Sequence, residues 1–356
     1  MHDGKGRRAT LAALGVVVAI LVYFFVFAEP LSAELSAVPR WRVDLDIGVT
    51  GKVAAETGLL AYAAGDRYGY FTPDGEVAFI AEAPVGAPIS DSSYVALSAG
   101  KTEAVLLNSR SETITSFRAS APFYASGRLF SAEGDGTAVT SYDEQGDKVW
   151  SYSFPCQLGA FSAGDRLVVG GTVDGWLEGV DAEGRRVFSF APSGSRLPVV
   201  LGVGVSRSGD WVAAVTGIDK QRLVVLGRGG SDYRVASHTY LESDFREPVR
   251  VLVMDDDHHV LYRRSDGIGV WAVDGSIDTV LPVKADTFDV ALDDSKGIAY
   301  IVARRGRKSE IVAFRLPATL LGRIPLPDSS EFVRFSGSSA YIGGRTWLAR
   351  FDFVED

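Results

Sequence analysis

The run Asp255-Asp256-Asp257-His258-His259 gathers the side chains that metals and proton transfers use. Carboxylates and imidazoles are the usual ligands of zinc and calcium, and both serve as general acids or bases. The run lies between the apolar stretches Val249–Met254 and Val260-Leu261-Tyr262, so it reads as the turn of a hairpin. Neighbouring residues on a tight turn diverge and rarely close on one ion, and a solvated turn is the expectation. The other histidines are His2 and His238. Asp293-Asp294, followed by Ser295 and Gly297, is a second acidic pair with the composition of a hairpin turn. No Gly-x-Ser-x-Gly elbow or phosphate loop occurs, and Gly202-x-Gly204 lacks the helix that would make it a nucleotide fingerprint. Cys156 is the only cysteine, so no internal disulfide can form, and a small buried hydrophobe is the expected role.

Arg304, Arg305, Arg307 and Lys308 form a different kind of cluster. They place four positive charges on one hairpin tip of an acidic chain, whose net charge is −9 and pI about 5.1. This tip is the candidate contact site, for anionic lipid or an acidic partner, against the alternative of a solvated turn. The acidic balance excludes a general nucleic-acid binder. Trp176, Tyr233 and Trp211 stand at strand ends, where exposed aromatics would make binding hot spots.

The elements that carry these residues show a repeat. Asp135-Gly136-Thr137, Tyr142-Asp143, Gly146 and Val149-Trp150-Ser151-Tyr152 recur as Asp174-Gly175-Trp176, Val180-Asp181, Gly184 and Val187-Phe188-Ser189-Phe190. Asp143 to Asp181, Gly146 to Gly184 and Trp150 to Phe188 are each 38 residues apart. In each copy an apolar-alternating run is a strand, Asp-x-x-Gly is a tight turn, and the aromatic run is a strand returning. Weaker units fall at about 53–83, 89–117, 199–240, 249–283 and 288–324. A last one has only three strands, at Phe332–Phe335, Ala340–Gly343 and Trp347–Phe351.

A self-similar period of this size marks stacked supersecondary units. The chain is therefore expected to be all-β, a β-propeller of eight blades, with seven as the alternative. The strand Trp41–Ile47 has no neighbour in sequence and resembles the fourth strand of the other units. Pairing it with Trp347–Phe353 would complete the last blade and remove its exposed edges.

Ahead of the propeller, Leu11–Ala28 is an uninterrupted apolar run of 18 residues, just long enough to cross a bilayer core. Lys5, Arg7 and Arg8 precede it and Glu29 and Glu34 follow, which keeps the amino terminus cytoplasmic. The expected organisation is a cytoplasmic tail at 1–10, a transmembrane helix or uncleaved signal anchor at 11–28, a linker at 29–40 and the propeller at 41–356. That places a single-pass protein in the inner membrane with its bulk periplasmic. A cleaved signal peptide, with peptidase sites at Val26-x-Ala28 or Leu31-Ser32-Ala33, is the alternative.

The unit Asp-Gly, aromatic or Val before Asp, x-x-Gly, then Val-Trp or Val-Phe resembles the repeat of quinoprotein-type and WD-like propellers, including their BamB-like branch. The match is good over 135–190, partial over 53–83 and 249–283, and poor over 199–240 and 288–324, which lean towards generic WD-like or lactonase-like repeats. The family's repeat specifies fold and not activity. Quinoprotein dehydrogenases hold their quinone against adjacent cysteines, and Cys156 stands alone, so the resemblance implies no cofactor here. The BamB-like branch implies a non-enzymatic scaffold for other envelope or membrane proteins. The second hypothesis is a metal-dependent propeller hydrolase or lyase. Such an enzyme draws Asp, Asn or His from inner strand ends, and the chain has a single asparagine, Asn108.

Overall fold

The computed structural model describes residues 35–46, 58–83, 86–97 and 103–355. The expected tail, anchor and first part of the linker lie outside these residues. The described chain is built of strands, which fall into eight sheets. The first blade holds β2 (Leu60–Ala64), β3 (Arg67–Phe71) and β4 (Val77–Glu82), and the second β5 (Ser93–Leu97), β6 (Glu103–Asn108) and β7 (Thr113–Arg118). The third holds β8 (Ala121–Ala125), β9 (Arg128–Ala132), β10 (Ala138–Tyr142) and β11 (Lys148–Ser153). The fourth holds β12 (Leu158–Ala163), β13 (Leu167–Thr172), β14 (Leu177–Asp181) and β15 (Arg186–Phe190). The fifth holds β16 (Val200–Val205), β17 (Trp211–Thr216), β18 (Arg222–Gly229) and β19 (Asp232–Tyr240). The sixth holds β20 (Val251–Val253), β21 (His259–Arg263), β22 (Ile268–Ala272) and β23 (Asp278–Leu281). The seventh holds β24 (Thr287–Asp293), β25 (Ile298–Arg305), β26 (Lys308–Arg315) and β27 (Thr319–Pro325). The eighth joins β1 (Leu35–Asp44) to β28 (Phe332–Ser336), β29 (Ser339–Gly344) and β30 (Trp347–Glu355), in the order β1-β30-β29-β28.

Each blade is an antiparallel meander. Its middle strands are apolar on both faces because blades pack on either side of them. Val168 and Val169 of β13 and Ala299 to Val302 of β25 are buried without alternation. Outer strands alternate instead, as in the pattern of β7, because only one side meets a neighbour. Eight apolar clusters result, one between each pair of adjacent blades. The cluster around Tyr62, Phe71, Tyr341 and Leu348 joins the eighth blade to the first. Eight blades with eight interfaces make a closed ring, and the seven-bladed alternative falls.

The Asp-x-x-Gly repeat has a double role. Asp181 Oδ1 accepts the backbone N–H groups of Glu183 and Arg185 at 3.1 and 2.8 Å, so the turn is held by its own side chain. Asp143 does the same for Gln145 and Asp147. The glycine then makes the blade-to-blade contact. Gly184 has φ +82°, and a Cβ there would lie 2.6 Å from Cβ of Trp150, on the outer strand of the preceding blade. The same relation ties Gly75 of the first blade to Trp41 of β1, so ring closure repeats the contact used inside the ring.

The closing strand differs from its expected bounds. It runs Leu35–Asp44 and pairs with β30 from Leu35↔Glu355 to Asp44↔Trp347. Residues 35–40, expected as linker, are strand. Pro39 is tolerated because it stands at a register shift between Pro39 and Trp41 on an edge strand. Leu35 is buried against the seventh blade and Trp41 packs on Phe71 and Tyr341. Asp44 ends the strand, and Ile47 lies outside the described residues.

Candidate functional site

The Asp255–His259 run is the hairpin turn between β20 and β21. Asp256 Oδ1 accepts the N–H groups of His258 and His259, and its Oδ2 meets Nδ1 of His259 at 2.7 Å. Burial pushes the Asp256 carboxyl up, but the His259 ring and these two N–H groups outweigh it and hold it below the ordinary range. Asp255 pairs outward with Arg207 at 3.1 Å. Asp256 is thus committed to the turn and Asp255 to an arginine of the neighbouring blade, and among the described residues no three His, Cys, Asp or Glu side chains are grouped to hold a metal. Asp293 is likewise a turn residue, accepting from Ser295 Oγ at 2.5 Å. Cys156 departs from expectation: it is half-exposed in the connection between β11 and β12, where Phe154 on one side takes the buried position instead.

The basic tip is the hairpin between β25 and β26. Arg305, Arg307 and Lys308 are exposed, whereas Arg304 is half-buried and pairs with Asp289 at 3.2 Å. Asp289 also binds Arg250 at 2.6 Å, and the Gly306 N–H donates to Asp286 Oδ2 at 2.8 Å. The structure therefore leaves three of the four charges facing solvent and ties the fourth to the blade. Among the aromatics, Trp176 is 40% exposed, while Trp211 packs over Gly227 and the Tyr233 hydroxyl donates to the Gly209 carbonyl at 2.6 Å. Trp211 and Tyr233 are half-buried packing residues.

Polar groups inside the ring serve the architecture. Arg334 of the eighth blade forms a forked ion pair with Asp91 ahead of β5, reaching past the first blade, and Asp91 also accepts the Ala61 N–H. Buried Glu178 accepts from Tyr152 at 2.7 Å across the third and fourth blades and from Ser189 at 3.0 Å. Burial, then the Glu178 contact, pushes the Tyr152 hydroxyl up to about 12.

One feature escaped the sequence reading. Between the seventh and eighth blades a groove of about 590 Å³ opens on the rim. Ile311, Ile324 and Leu326 form one wall, and Trp347, Ala349 and Phe351 the other. The two outer strands touch where Gly322 meets Leu35 and diverge towards Trp347. Arg42 lies over the Trp347 ring at 5.1 Å, and Arg40 pairs with Asp352 at 2.7 Å. The Leu326 N–H donates to the carbonyl of Ser309, the residue after Lys308, so the basic tip and the groove share one edge. Pro325-Leu326-Pro327 and the apolar alternation Trp347, Ala349, Phe351, Phe353 are the sequence traces of this groove. They are not separable from core residues until the blades are placed side by side.

Comparison with known proteins agrees with this architecture. A family model described as beta-propeller protein matches residues 3–356. An uncharacterized protein of Treponema pallidum (strain Nichols) is 23% identical over 99% of this chain and 96% of its own length. Among solved structures, BamB from Moraxella catarrhalis is similar with a TM-score of 0.60 at 13% identity, over 89% of this chain and 100% of that one. The computationally designed Ika8 protein is similar with a TM-score of 0.60 at 14% identity, over 90% of this chain and 99% of that one. The WD40 domain of Toxoplasma gondii coronin reaches 0.54 at 12% identity, over 92% and 88%. A family match over nearly the whole length, on a ring of eight four-stranded or three-stranded sheets, leaves one conclusion: the chain belongs to the beta-propeller proteins.

Proposed function

We propose that this chain is a membrane-anchored extracytoplasmic propeller that acts as a non-enzymatic scaffold for other envelope proteins. Residues 11–28 hold it at the cytoplasmic membrane, and the ring presents loop faces and a rim for docking. The observation that carries the reading is the commitment of the chemically richest side chains to architecture. Asp143, Asp181, Asp256 and Asp293 close turns, Glu178 bridges blades, and Arg334 with Asp91 braces the ring. Catalysis needs titratable groups that converge on a cleft with shifted pKa values. The groove that does open is lined by aliphatic, aromatic and arginine side chains, the composition of binding hot spots. The BamB-like repeat implies the same role.

Carbonate extraction of native membranes, followed by mass measurement, tests the anchor: the intact chain should stay in the pellet. A soluble form beginning near Glu29 would contradict it. Elemental analysis of the purified chain tests the scaffold against the hydrolase or lyase. One equivalent of calcium or zinc, lost on mutation of Asp or His around the channel, would overturn the scaffold reading.

A further inference from the structure

We propose that the groove between the seventh and eighth blades, together with the basic tip beside it, binds a short extended segment of a partner protein that has an apolar core and acidic flanks. The inference rests on the scaffold reading and adds the place and chemistry of docking.

The walls fix the core of the ligand. Ile311, Ile324 and Leu326 face Trp347 and Phe351, so the groove takes apolar side chains. Its volume of about 590 Å³ is in the range of sites that bury a few side chains. Pro325 and Pro327 add rigid walls that lose no rotamer freedom on binding.

The charges fix the flanks. Arg42 is exposed and lies over the Trp347 ring, so its charge stands at the groove mouth. Lys308 stands about 10 Å along β26 from Ile311, at the edge shared through Leu326 and Ser309, and Arg305 and Arg307 sit on the same hairpin tip. Cations of the seventh and of the eighth blade therefore stand on either side of the open end of an apolar groove, in a chain of net charge −9. An acidic flank at each end of the segment satisfies them, and it also steers encounter.

The backbone excludes another mode. β1 is the edge strand of its sheet and could in principle accept an added strand. Pro39 and the register shift beside it interrupt that edge over the groove. Side-chain insertion between blades is the mode left open.

The test uses the full chain in phospholipid nanodiscs and fluorescent 12-residue peptides. One peptide has a Leu/Val core between Glu pairs, and a second has the same core between Lys pairs. Fluorescence polarisation should show the Glu-flanked peptide binding at least 10-fold more tightly. In R42E/R305E/R307E the preference should reverse, which reads the charges without relying on loss of binding. In Ile324→Asp, both peptides should weaken at least 10-fold while the melting curve stays cooperative. Equal affinity for the two peptides, or a preference unchanged by the charge reversal, would overturn the proposal. Displacement of the peptide by a fluorescent fatty acid at micromolar concentration would overturn it in favour of an acyl-chain site. A photo-crosslinker at Pro325 that captured residues 1–34 of the same chain would overturn it in favour of an internal occupant. If the peptides fail while a partner still co-purifies with R42E/R305E/R307E, the groove assignment fails and the scaffold reading stands.

Discussion

At the scale of residues, carboxylates that look like ligands are turn-formers. Asp181 and Asp256 close turns, whereas Asp352 lies within β30 and accepts from Ser339, Arg350 and Arg40; each is partly shielded, which pushes the carboxyl up, and each is nevertheless held below its ordinary value by the hydrogen bonds it accepts. A folded pKa below the unfolded value of about 3.9 gives stability that is present above that pH. It is lost as pH falls through the folded values. The urea midpoint should accordingly be flat in these groups from pH 7 to 5 and fall below about pH 4. A midpoint unchanged down to about pH 2 would show that the turns do not depend on ionised aspartates. The basic tip gives a second residue-scale prediction. Changing Arg305, Arg307 and Lys308 to Ser should leave the melting temperature nearly unaltered, because exposed charges contribute little. Arg304→Ser should cost more, up to about 1 kcal/mol, because it breaks the pair with Asp289. The turn character of 255–259 was legible in sequence because apolar runs flank it on both sides. The partner of Arg304 was not, since Asp289 lies on another strand.

At the scale of elements, the repeat is a packing device. Asp-x-x-Gly shapes the turn between third and fourth strands, and the glycine seats it on the outer strand of the blade before. Gly184→Ala should therefore be destabilising twice over. The left-handed backbone costs about 1–2 kcal/mol with a side chain, and the clash with Trp150 adds about 1–3 kcal/mol of overpacking. Gly127 has φ +72° and no atom within 4 Å of a built Cβ, so Gly127→Ala should show only the first effect. Equal costs in urea unfolding would refute the packing role. The 38-residue spacing made this element legible, because a physical contact that recurs once per blade forces the same residues to recur. The start of β1 was not legible. Its first residues have linker composition, and it is pairing along β30, from Leu35↔Glu355 to Pro39↔Phe351, with Leu35 packed on the seventh blade, that makes Leu35–Pro39 strand.

At the scale of the molecule, the ring closes because chain ends supply one blade together. Arg334 and Asp91 brace that joint from inside, and Trp41 seals it outside, with its ring N–H donating to the Pro73 carbonyl at 3.1 Å. A closed rigid ring offers surfaces and little internal motion, which suits docking. The rim groove lies on the other side of the eighth blade, against the seventh, where apolar walls, Arg42 and the basic tip come together. The central claim is that the chain works by holding another protein. The most direct measurement is native mass determination of the complex, after affinity purification of the tagged full chain from its own membranes in mild detergent. The account predicts one envelope protein at a fixed molar ratio, retained through size-exclusion chromatography and lost with R42E/R305E/R307E. A chain recovered alone, at its own mass, from membranes in which it is fully anchored would contradict it.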